Sequence, residues 1–451
     1  MVAEVTVVRD VAAGIKRIRD KGTEYLPKHP KERQADYQTR LDQSVLFNAT
    51  ERTIEGLAGM VFRVDPVLSE DVPPAIAEHM ENIDNAGSHI DVFSRDLFED
   101  ALASGHAGIL VDVPKVDMPS GRAPTVAEER AAGVRPFWRY YRKEDIFLTR
   151  PAIVNGRTML TMLVLREQAV EADGEFGEQD VTRYRVLTAA DGVVTGQVWT
   201  IENDEIGEAA VVKDEPYVVT NQTEIPFPVV YTKKTGLYKS RPPLLDLAET
   251  NLAHYRLLSD HLYAMHIANV PVGVLIGVDP EQEVEIGPNA WLKLPDSQMD
   301  FKWAAHDGAN FDANVAQLRE FKADMAAQGL SLLQVETRQA ETATATRMNR
   351  SEKDSALSVA ARSLEDALQM AMVYHGRFMK IDKPGTITVN RDFENQPMTP
   401  DEIRQWREGV ATGSWSLETM WQVMAERGAL PDDFDPELER ERIAGTDMVE
   451  V

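Results

Sequence analysis

Apolar and polar positions divide this chain of 451 residues into a helical opening region, a region of strands and several long helices. Over roughly the first 105 residues, apolar side chains recur at spacings of three and four, the period of an amphipathic helix. Asn48, with Glu51 three residues later, forms a capping-box sequence that predicts the start of one helix. The pattern predicts further helices over residues 31–47 and 89–104.

The period changes at Ala107, where a short apolar run ends at Pro114 and predicts a buried strand. Further runs between Pro136 and Tyr231 predict strands, and the turns between them are rich in Gly, Asp and Asn. These runs cover residues 137–141, 158–165, 181–187, 193–200 and 229–231. A mostly antiparallel β region therefore follows the helical one, and the predicted fold class is α+β.

A long helical pattern opens after Pro242-Pro243 and continues to about Asn269, which corresponds to roughly 40 Å of helix. Its apolar stripe consists of Leu245, Ala248, Leu252, Tyr255, Leu258, Leu262 and Met265. Short strand-like runs follow, and then a second helix is predicted over 311–330. After an aperiodic stretch, the longest helix is predicted over 343–380 and a short strand over 387–389. Two short helices are predicted before an acidic tail, over 400–410 and 417–427.

Charge and composition exclude several classes of protein. The formal net charge is −26, and the chain contains no cysteine. We therefore expect no disulfide framework, no thiolate metal site and no general nucleic-acid binding through a basic surface. The longest apolar run, roughly nine residues, is too short to cross a bilayer, and the N-terminus lacks the layout of a signal peptide. These features predict a soluble, intracellular, folded protein.

No catalytic constellation stands out in the sequence. It has no phosphate-binding loop, dinucleotide fingerprint, nucleophile elbow or zinc-protease motif. His254, His261 and His266 lie on one predicted helix, but their spacings of seven and five differ from the usual i, i+4 metal pair. The acidic pairs Asp204-Glu205 and Asp432-Asp433 leave a carboxylate-based, Mg²⁺-dependent hydrolase as a remote alternative. The prediction is that the chain is not an enzyme and has no catalytic residue, metal or cofactor.

The order of these parts resembles the portal proteins of tailed bacteriophages, the head–tail connectors. Five segments carry the likeness: Tyr25 to Lys28 with Tyr37 and Arg40-Leu41, Phe47 to Phe62, Ser104 to Asp112, Glu341 to Phe378, and Gly413 to Thr419. The likeness spans nearly the whole chain and depends on the order of the parts. The alternative is another virion structural protein, such as a capsid-associated protein or a tail adaptor.

The resemblance implies a ring, probably of twelve copies, at one capsid vertex, through which double-stranded DNA is packaged and later ejected. Implied partners are the major capsid protein, the terminase large subunit and a head–tail adaptor, with no membrane. The implied location is the virion, and the host cytoplasm during assembly. The order of parts implies a wing at 1–240, stem helices at 241–269 and 311–330, a clip at 270–310, a tunnel loop at 331–342, a long wing helix and strand at 343–395, and a helical crown with an acidic tail at 396–451.

Two sets of site residues follow from the resemblance. Polar groups of the tunnel loop would touch the sugar–phosphate backbone of DNA without reading its bases, with Arg338 facing a phosphate. The DNA-channel candidates are Gln334, Glu336, Thr337, Arg338, Gln339, Glu341, Arg347 and Arg350. The candidates for docking of neighbouring subunits, terminase or adaptor lie in the clip and are Trp291, Lys293, Lys302 and Trp303. The alternative for these four is that they fill a small β core.

The negative charge is concentrated rather than uniform. Residues 165–224 contain 14 acidic and 4 basic side chains, and residues 392–451 contain 15 and 5. Residues 335–362, by contrast, contain 4 acidic and 5 basic side chains. Each phosphate that a lysine or arginine neutralises adds affinity that motion must break. An acidic wall with a few basic groups at a constriction would therefore suit a conduit along which DNA slides.

Overall fold

The computed structural model describes residues 2–114, 134–173, 177–203, 209–268, 272–276, 300–304, 311–331, 355–391, 393, 400–426, 429–430 and 434–446. The chain divides into two compact units, residues 1–389 and 390–451. The first unit combines helices with antiparallel sheets, which confirms the α+β class. No helix in the described ranges has both the length and the apolar character needed to cross a membrane.

The N-terminal region is helical, as predicted. Its helices are α1 (Val2–Ala12), α2 (Ile15–Lys21), α3 (Gln34–Gln43), α4 (Ala49–Val61), α5 (Pro74–Met80) and α6 (Ile90–Ser104). The predicted N-cap is present, because the Asn48 side chain accepts from the Glu51 backbone N–H at 3.2 Å. The Glu51 carboxylate accepts from the Asn48 side-chain amide at 2.6 Å, in place of the backbone N–H of a full capping box. Helix α3 is shorter than the predicted 31–47, since residues 27–33 form a loop in which Lys31 has a φ of 69°.

A three-stranded antiparallel sheet follows α6 directly. Its strands are β2 (His106–Asp112), β3 (Phe137–Arg142) and β10 (Val229–Tyr231), with β2 in the centre. The predicted apolar run is thus a central strand, and it is buried through most of its length. Gly108 lies directly under the Phe227 ring, in the space that a Cβ atom would need. Glycine therefore permits the close approach of β2 to this ring.

A larger antiparallel sheet occupies the middle of the chain, in the order β4-β5-β6-β7-β8 with β9 also paired to β7. Its strands are β4 (Ile146–Val154), β5 (Arg157–Asp173), β6 (Gly177–Ala190), β7 (Val193–Asn203), β8 (Ala209–Lys213) and β9 (Tyr217–Val219). Leu163, Leu165 and Leu187 pack in one core with Tyr141 and Phe227. The apolar runs located the inner part of this sheet but missed β4, β8 and the outer halves of β5 and β6.

Among the described residues, six further strands form three two-stranded antiparallel sheets. They are β1 (Val67–Leu68) with β15 (Ile387–Thr388), β11 (Lys234–Gly236) with β12 (Lys239–Ser240), and β13 (Val272–Ile276) with β14 (Asp300–Ala304), all antiparallel. The β1–β15 pair joins segments that lie more than 300 residues apart in sequence. The chain after the last long helix therefore returns to the N-terminal region of the first unit.

Three long helices follow the sheets: α7 (Leu245–Ala268), α8 (Phe311–Leu330) and α9 (Ala356–Met379). The predicted stripe of α9 is buried, including Leu357, Leu364 and Ala371. The Tyr231 backbone N–H of β10 donates to the Ser363 hydroxyl on α9 at 2.9 Å. Helix α9 is therefore part of the core of this unit, as its alanine-rich stripe indicated. The predicted start of this helix, at 343–354, lies outside the described residues.

The second unit contains α10 (Pro400–Ala411), α11 (Leu417–Glu426) and α12 (Pro436–Thr446). Aromatic pairs hold these segments, with ring centroids 5.4 Å apart for Trp406 and Trp415 and 5.6 Å apart for Trp421 and Phe434. The sequence predicted the first two helices but described the third as an acidic tail. Helix α12 has too few apolar residues to produce a stripe, so periodicity did not reveal it.

A buried hydrogen-bonded chain of rings connects β3, α9 and α5. The Trp138 indole N–H donates to Nδ1 of His375 at 3.2 Å, and Nε2 of His375 lies 2.9 Å from Nδ1 of His79. Because the indole only donates, neutral His375 carries its proton on Nε2 and donates it to His79. Burial, with a smaller contribution from His79 and Arg135, lowers the pKa of His375 to about 3.

Stability should therefore fall as the solution is acidified. Between about pH 6.5 and pH 3, His375 is protonated in the unfolded chain but neutral in the folded chain, so acid favours unfolding. Replacing His375 with Gln removes this titration, and we expect the loss of unfolding free energy between pH 7 and pH 5 to shrink by about 2 kcal/mol. Urea unfolding at pH 7 and at pH 5 measures this loss of unfolding free energy. The exposed His266→Gln control should behave like the parent, and an unchanged loss in H375Q would contradict the assignment.

Candidate functional site

The candidate site consists of α7, α8 and the strand pair β13–β14 that lies between them along the chain. The two strands pair antiparallel over their full described length, from Val272 opposite Ala304 to Ile276 opposite Asp300. Helices α7 and α8 pack against each other. A helix therefore leads to a small β module, and a second helix returns from it along the first.

Burial decreases along α7 from its start to its end. Leu245 and Tyr255 are 3% and 0% exposed, whereas Leu262 is partly buried and Met265 is 37% exposed. The apolar stripe itself continues to Met265, beyond the buried half of the helix. The first half of α7 is thus packed inside the first unit, and the last turns lose that cover within the single chain.

Asn251 anchors the buried half of α7. Its side-chain oxygen accepts from the backbone N–H groups of Ala49 and Thr50 at 3.0 and 3.3 Å, and its amide donates to the Phe47 carbonyl at 2.8 Å. The first N–H groups of a helix have no partner within that helix. Fully buried Asn251 satisfies two of them, so α7 supplies a cap to α4.

Arg40 provides a second anchor, farther along α7. Its guanidinium donates to Glu32 at 2.9 and 3.0 Å, to the Pro27 carbonyl at 2.8 Å and to Asp260 of α7 at 2.9 Å. The Arg40 side chain is 1% exposed, and its hydrogen bond holds the pKa of the Glu32 carboxyl below the ordinary value. One buried cation therefore fixes the loop at 27–33 and attaches it to α7.

Helix α8 contacts the rest of the unit along a single narrow line. Of its residues, Leu318, Met325 and Gly329 are buried. Gly329 lies against Thr53 of α4, where an added Cβ would be 3.1 Å from the Thr53 hydroxyl oxygen. The Gln328 amide donates to the Thr250 hydroxyl on α7 at 3.2 Å. These contacts all lie on one side of the helix.

The opposite side of α8 is exposed and rich in alanine. Ala316, Ala323 and Ala327 repeat the spacing of Leu318, Met325 and Gly329 two positions earlier, and all three are exposed. Two residues correspond to a rotation of roughly 200° about a helix. This alanine face, which also carries exposed Glu320, is thus on the reverse side from the buried line, and its small side chains permit close approach of another helix.

A buried histidine lies in the seam between α7, α4 and α8. His254 is 1% exposed, and within the described chain neither of its ring nitrogens has a hydrogen-bond partner. Its ring centroid lies 6.0 Å from that of Phe47, over which the Lys322 and Arg52 cations lie at 4.9 Å. Burial, and secondarily Lys322, lowers the pKa of His254, so this side chain is neutral.

The other histidines considered as metal ligands have different environments. His261 is buried, and its ring lies 5.7 Å from that of Phe311 on α8, whereas His266 is exposed. Among the residues that the structure describes, no three His, Cys, Asp or Glu side chains are grouped so as to hold a metal ion. The acidic pairs Asp204-Glu205 and Asp432-Asp433 lie outside the described residues.

Most of the predicted site residues lie outside the described ranges. Lys302 and Trp303 are on β14, where their backbones pair with Val274 and Gly273 of β13. Trp291 and Lys293 are outside, and so are all the DNA-channel candidates: Gln334, Glu336, Thr337, Arg338, Gln339, Glu341, Arg347 and Arg350. These assignments therefore stay predictions.

Sequence reasoning missed the two anchors, Asn251 and Arg40. A signal was present for both. Asn251 interrupts the apolar stripe of α7 between Ala248 and Tyr255, and Arg40 lies one turn from Tyr37 on the buried side of α3. A polar residue within an apolar stripe indicates a buried hydrogen-bonded group.

Comparison with known proteins gives one family model and several solved structures. The model of a domain of unknown function, DUF4055, matches residues 243–379, which run from the start of α7 to the end of α9. No curated protein is found to match the chain. The chain is similar to a structure of the neck of an empty GTA particle computed with C6 symmetry, with a TM-score of 0.42, 14% identity, and coverage of 84% of this chain and 90% of that one.

Two further structures are similar to the same degree. One is the virion of a native gene transfer agent (GTA) particle, with a TM-score of 0.42, 12% identity and coverage of 90% of this chain and 98% of that one. The other is the neck of a native GTA particle computed with C12 symmetry, with a TM-score of 0.41, 13% identity and coverage of 83% and 89%. These structures are of necks and of a virion.

The anchor at Asn251 yields a stability prediction. Replacing Asn251 with Leu leaves the buried backbone N–H and the hydroxyl of Thr50 without their acceptor, whereas the Ala49 N–H keeps its bond to the Phe47 carbonyl. We expect a loss of about 2–4 kcal/mol in unfolding free energy, the cost of unpaired buried donors together with a lost helix cap. Chemical denaturation measures it. The exposed Glu249→Leu variant on the same helix is the control, and equal effects of the two substitutions would contradict an anchoring role.

Proposed function

We propose that this chain is a portal subunit, several copies of which form a ring whose helix pairs surround a channel for double-stranded DNA. The observation that carries the proposal is the loss of cover along α7, from fully buried Tyr255 to exposed Met265, beside a helix α8 that is buried along one line only. A helix pair inside an ordinary core would be covered along its whole length. In this pair, one end of α7 is packed inside the unit and the other end is exposed, as expected for helices that project from a body.

Neighbouring copies are the partners that fit the uncovered faces. The alanine face of α8 would accept a helix of the next copy at close range, and the exposed end of α7 would be covered by the same contact. Such a contact joins two different surfaces, so repetition with a closing rotation produces a ring. A ring of helix pairs encloses a hole along its axis, which is the geometry that a conduit requires.

The remaining parts follow the order along the chain. We assign residues 1–240 and 343–395 to the wing, 241–269 and 311–330 to the stem, 270–310 to the clip, 331–342 to the tunnel loop and 396–451 to the crown. Within the clip, Lys302 and Trp303 lie on β14, next to the place where a terminase or a head–tail adaptor would dock. The major capsid protein would contact the wing, and the acidic segments would keep the wall from gripping DNA.

The structure offers a direct test of the stem contact. Replacing Ala323 with Trp places a bulky side chain on the exposed alanine face, where the isolated chain has room for it. We expect unchanged thermal unfolding of the monomer and a strong loss of rings, at least about tenfold at a fixed concentration, because the next helix can no longer approach. Native mass measurement gives the distribution of species.

A matched control is Ala75→Trp, which makes the same substitution at an exposed alanine of α5. It should leave the rings intact. A wild-type chain that stays monomeric at micromolar concentration with its partners absent and present, or an A323W variant that assembles like the wild type, would contradict the proposal.

A further inference from the structure

The outer half of the large sheet projects beyond the core of the unit. Glu167 is the last buried residue of β5, and the strand continues to Asp173 while it pairs with β6 from Arg183 to Gly177. This corresponds to roughly 20 Å of strand without a buried residue. Strands β7 and β8 continue alongside through the pairs from Thr200–Val212 to Asn203–Ala209. We call this part, residues 168–173 and 177–182 of β5 and β6 together with 200–203 and 209–212 of β7 and β8, the arm.

The end of the arm carries acidic side chains in excess. Glu171 is paired with Arg183, but Glu178 and Asp180 are exposed, and within the described chain no cation pairs with either. Glu178 and Asp180 are two residues apart on β6, so both side chains lie on one face of the strand. Carboxylates this close repel one another, so the arm is more stable against a cationic surface.

The middle of the arm carries apolar side chains in exposed positions. Val170, Ile201 and Val211 are 62%, 40% and 53% exposed. Ile201 lies directly opposite Val211, and the alternation of the strands places Val170 on the same face. A sheet face with apolar residues and no helix across it, bordered by uncompensated acids, has the composition of an interface.

Two exposed lysines lie on the loop at residues 27–33. Lys28 and Lys31 are exposed, and no carboxylate pairs with either in the described part of the chain. The loop is held in place from beneath by Arg40, which binds the Pro27 carbonyl and Glu32. The two lysines are therefore presented by a fixed backbone, which reduces the conformational entropy lost when a partner binds.

We propose that the acidic end of the arm docks on the lysine loop of a second copy of this chain. This inference rests on the proposed ring, since it names a contact between neighbouring copies. Both surfaces are exposed within one chain, and they differ, so the contact is heterologous and can repeat around a closed ring. Arg40 also bonds to Asp260 and so attaches the loop to α7. The arm of one copy would therefore contact a loop that is fixed to α7 of the next copy.

Charge reversal tests the contact in the full chain. The variant E178K/D180K and the variant K28E/K31E each place like charges opposite one another, and each should raise the concentration for half-maximal ring assembly at least about tenfold. Combining both sets of substitutions in one chain restores opposite charges across the contact. The concentration for half-maximal ring assembly of this quadruple variant should therefore return to within about threefold of the wild-type value. Light scattering against concentration at 150 mM salt gives these midpoints.

Controls separate this inference from the ring itself. The exposed pair Glu55 and Glu70 lies elsewhere, and E55K/E70K makes the same change of net charge with no expected effect. If every variant forms rings at the same half-maximal concentration, the docking proposal is wrong and the ring proposal is unaffected. If the wild-type chain forms no rings, both proposals are wrong. Loss of duplex DNA binding in K28E/K31E with unchanged assembly would assign the loop to DNA and overturn the docking. Each variant should keep the wild-type thermal unfolding midpoint.

Discussion

The attachment of α7 to the N-terminal helices is the constraint on which the rest of the structure depends. A helix that extends away from a body must be held firmly at one end, and apolar packing alone would allow it to slide or rotate. Asn251 and Arg40 prevent this, because their hydrogen bonds to the α4 backbone, the Pro27 carbonyl and Asp260 are directional. With α7 fixed, α8 and the strands between the two helices have a defined position.

The degree of burial along each helix separates the residues of the core from those that we assign to an interface. Helix α9 and the first half of α7 are buried on the unit's own sheets and helices, whereas the end of α7 and most of α8 are not. The exposed side of α8 places small residues, Ala316, Ala323 and Ala327, beside charged ones such as Glu320. The same reasoning applies to the arm, whose exposed valine and isoleucine side chains lie beside uncompensated carboxylates. In both places we propose that other copies of the chain cover the exposed residues.

Apolar periodicity predicted the long helices well, because a stripe such as that from Leu357 to Ala371 has one interpretation only. It did not predict the outer part of β5, where backbone pairing to β6 maintains the strand without apolar residues, nor α12, which has no stripe. Burial is a tertiary property, so the sequence could not show where the stripe of α7 loses its cover. The anchor residues were visible only as polar interruptions, and their partners lie some 200 residues away in the sequence. The DNA-channel candidates and all four docking candidates came from a family resemblance, and they remain predictions.

Electron microscopy of the purified chain tests the central claim most directly. The account predicts a ring with an open centre, in which two long helices from each copy, α7 and α8, bound the hole and the strand pair β13–β14 lies at one end of it. Single compact particles, or a ring in which α7 and α8 point away from the axis, would contradict it.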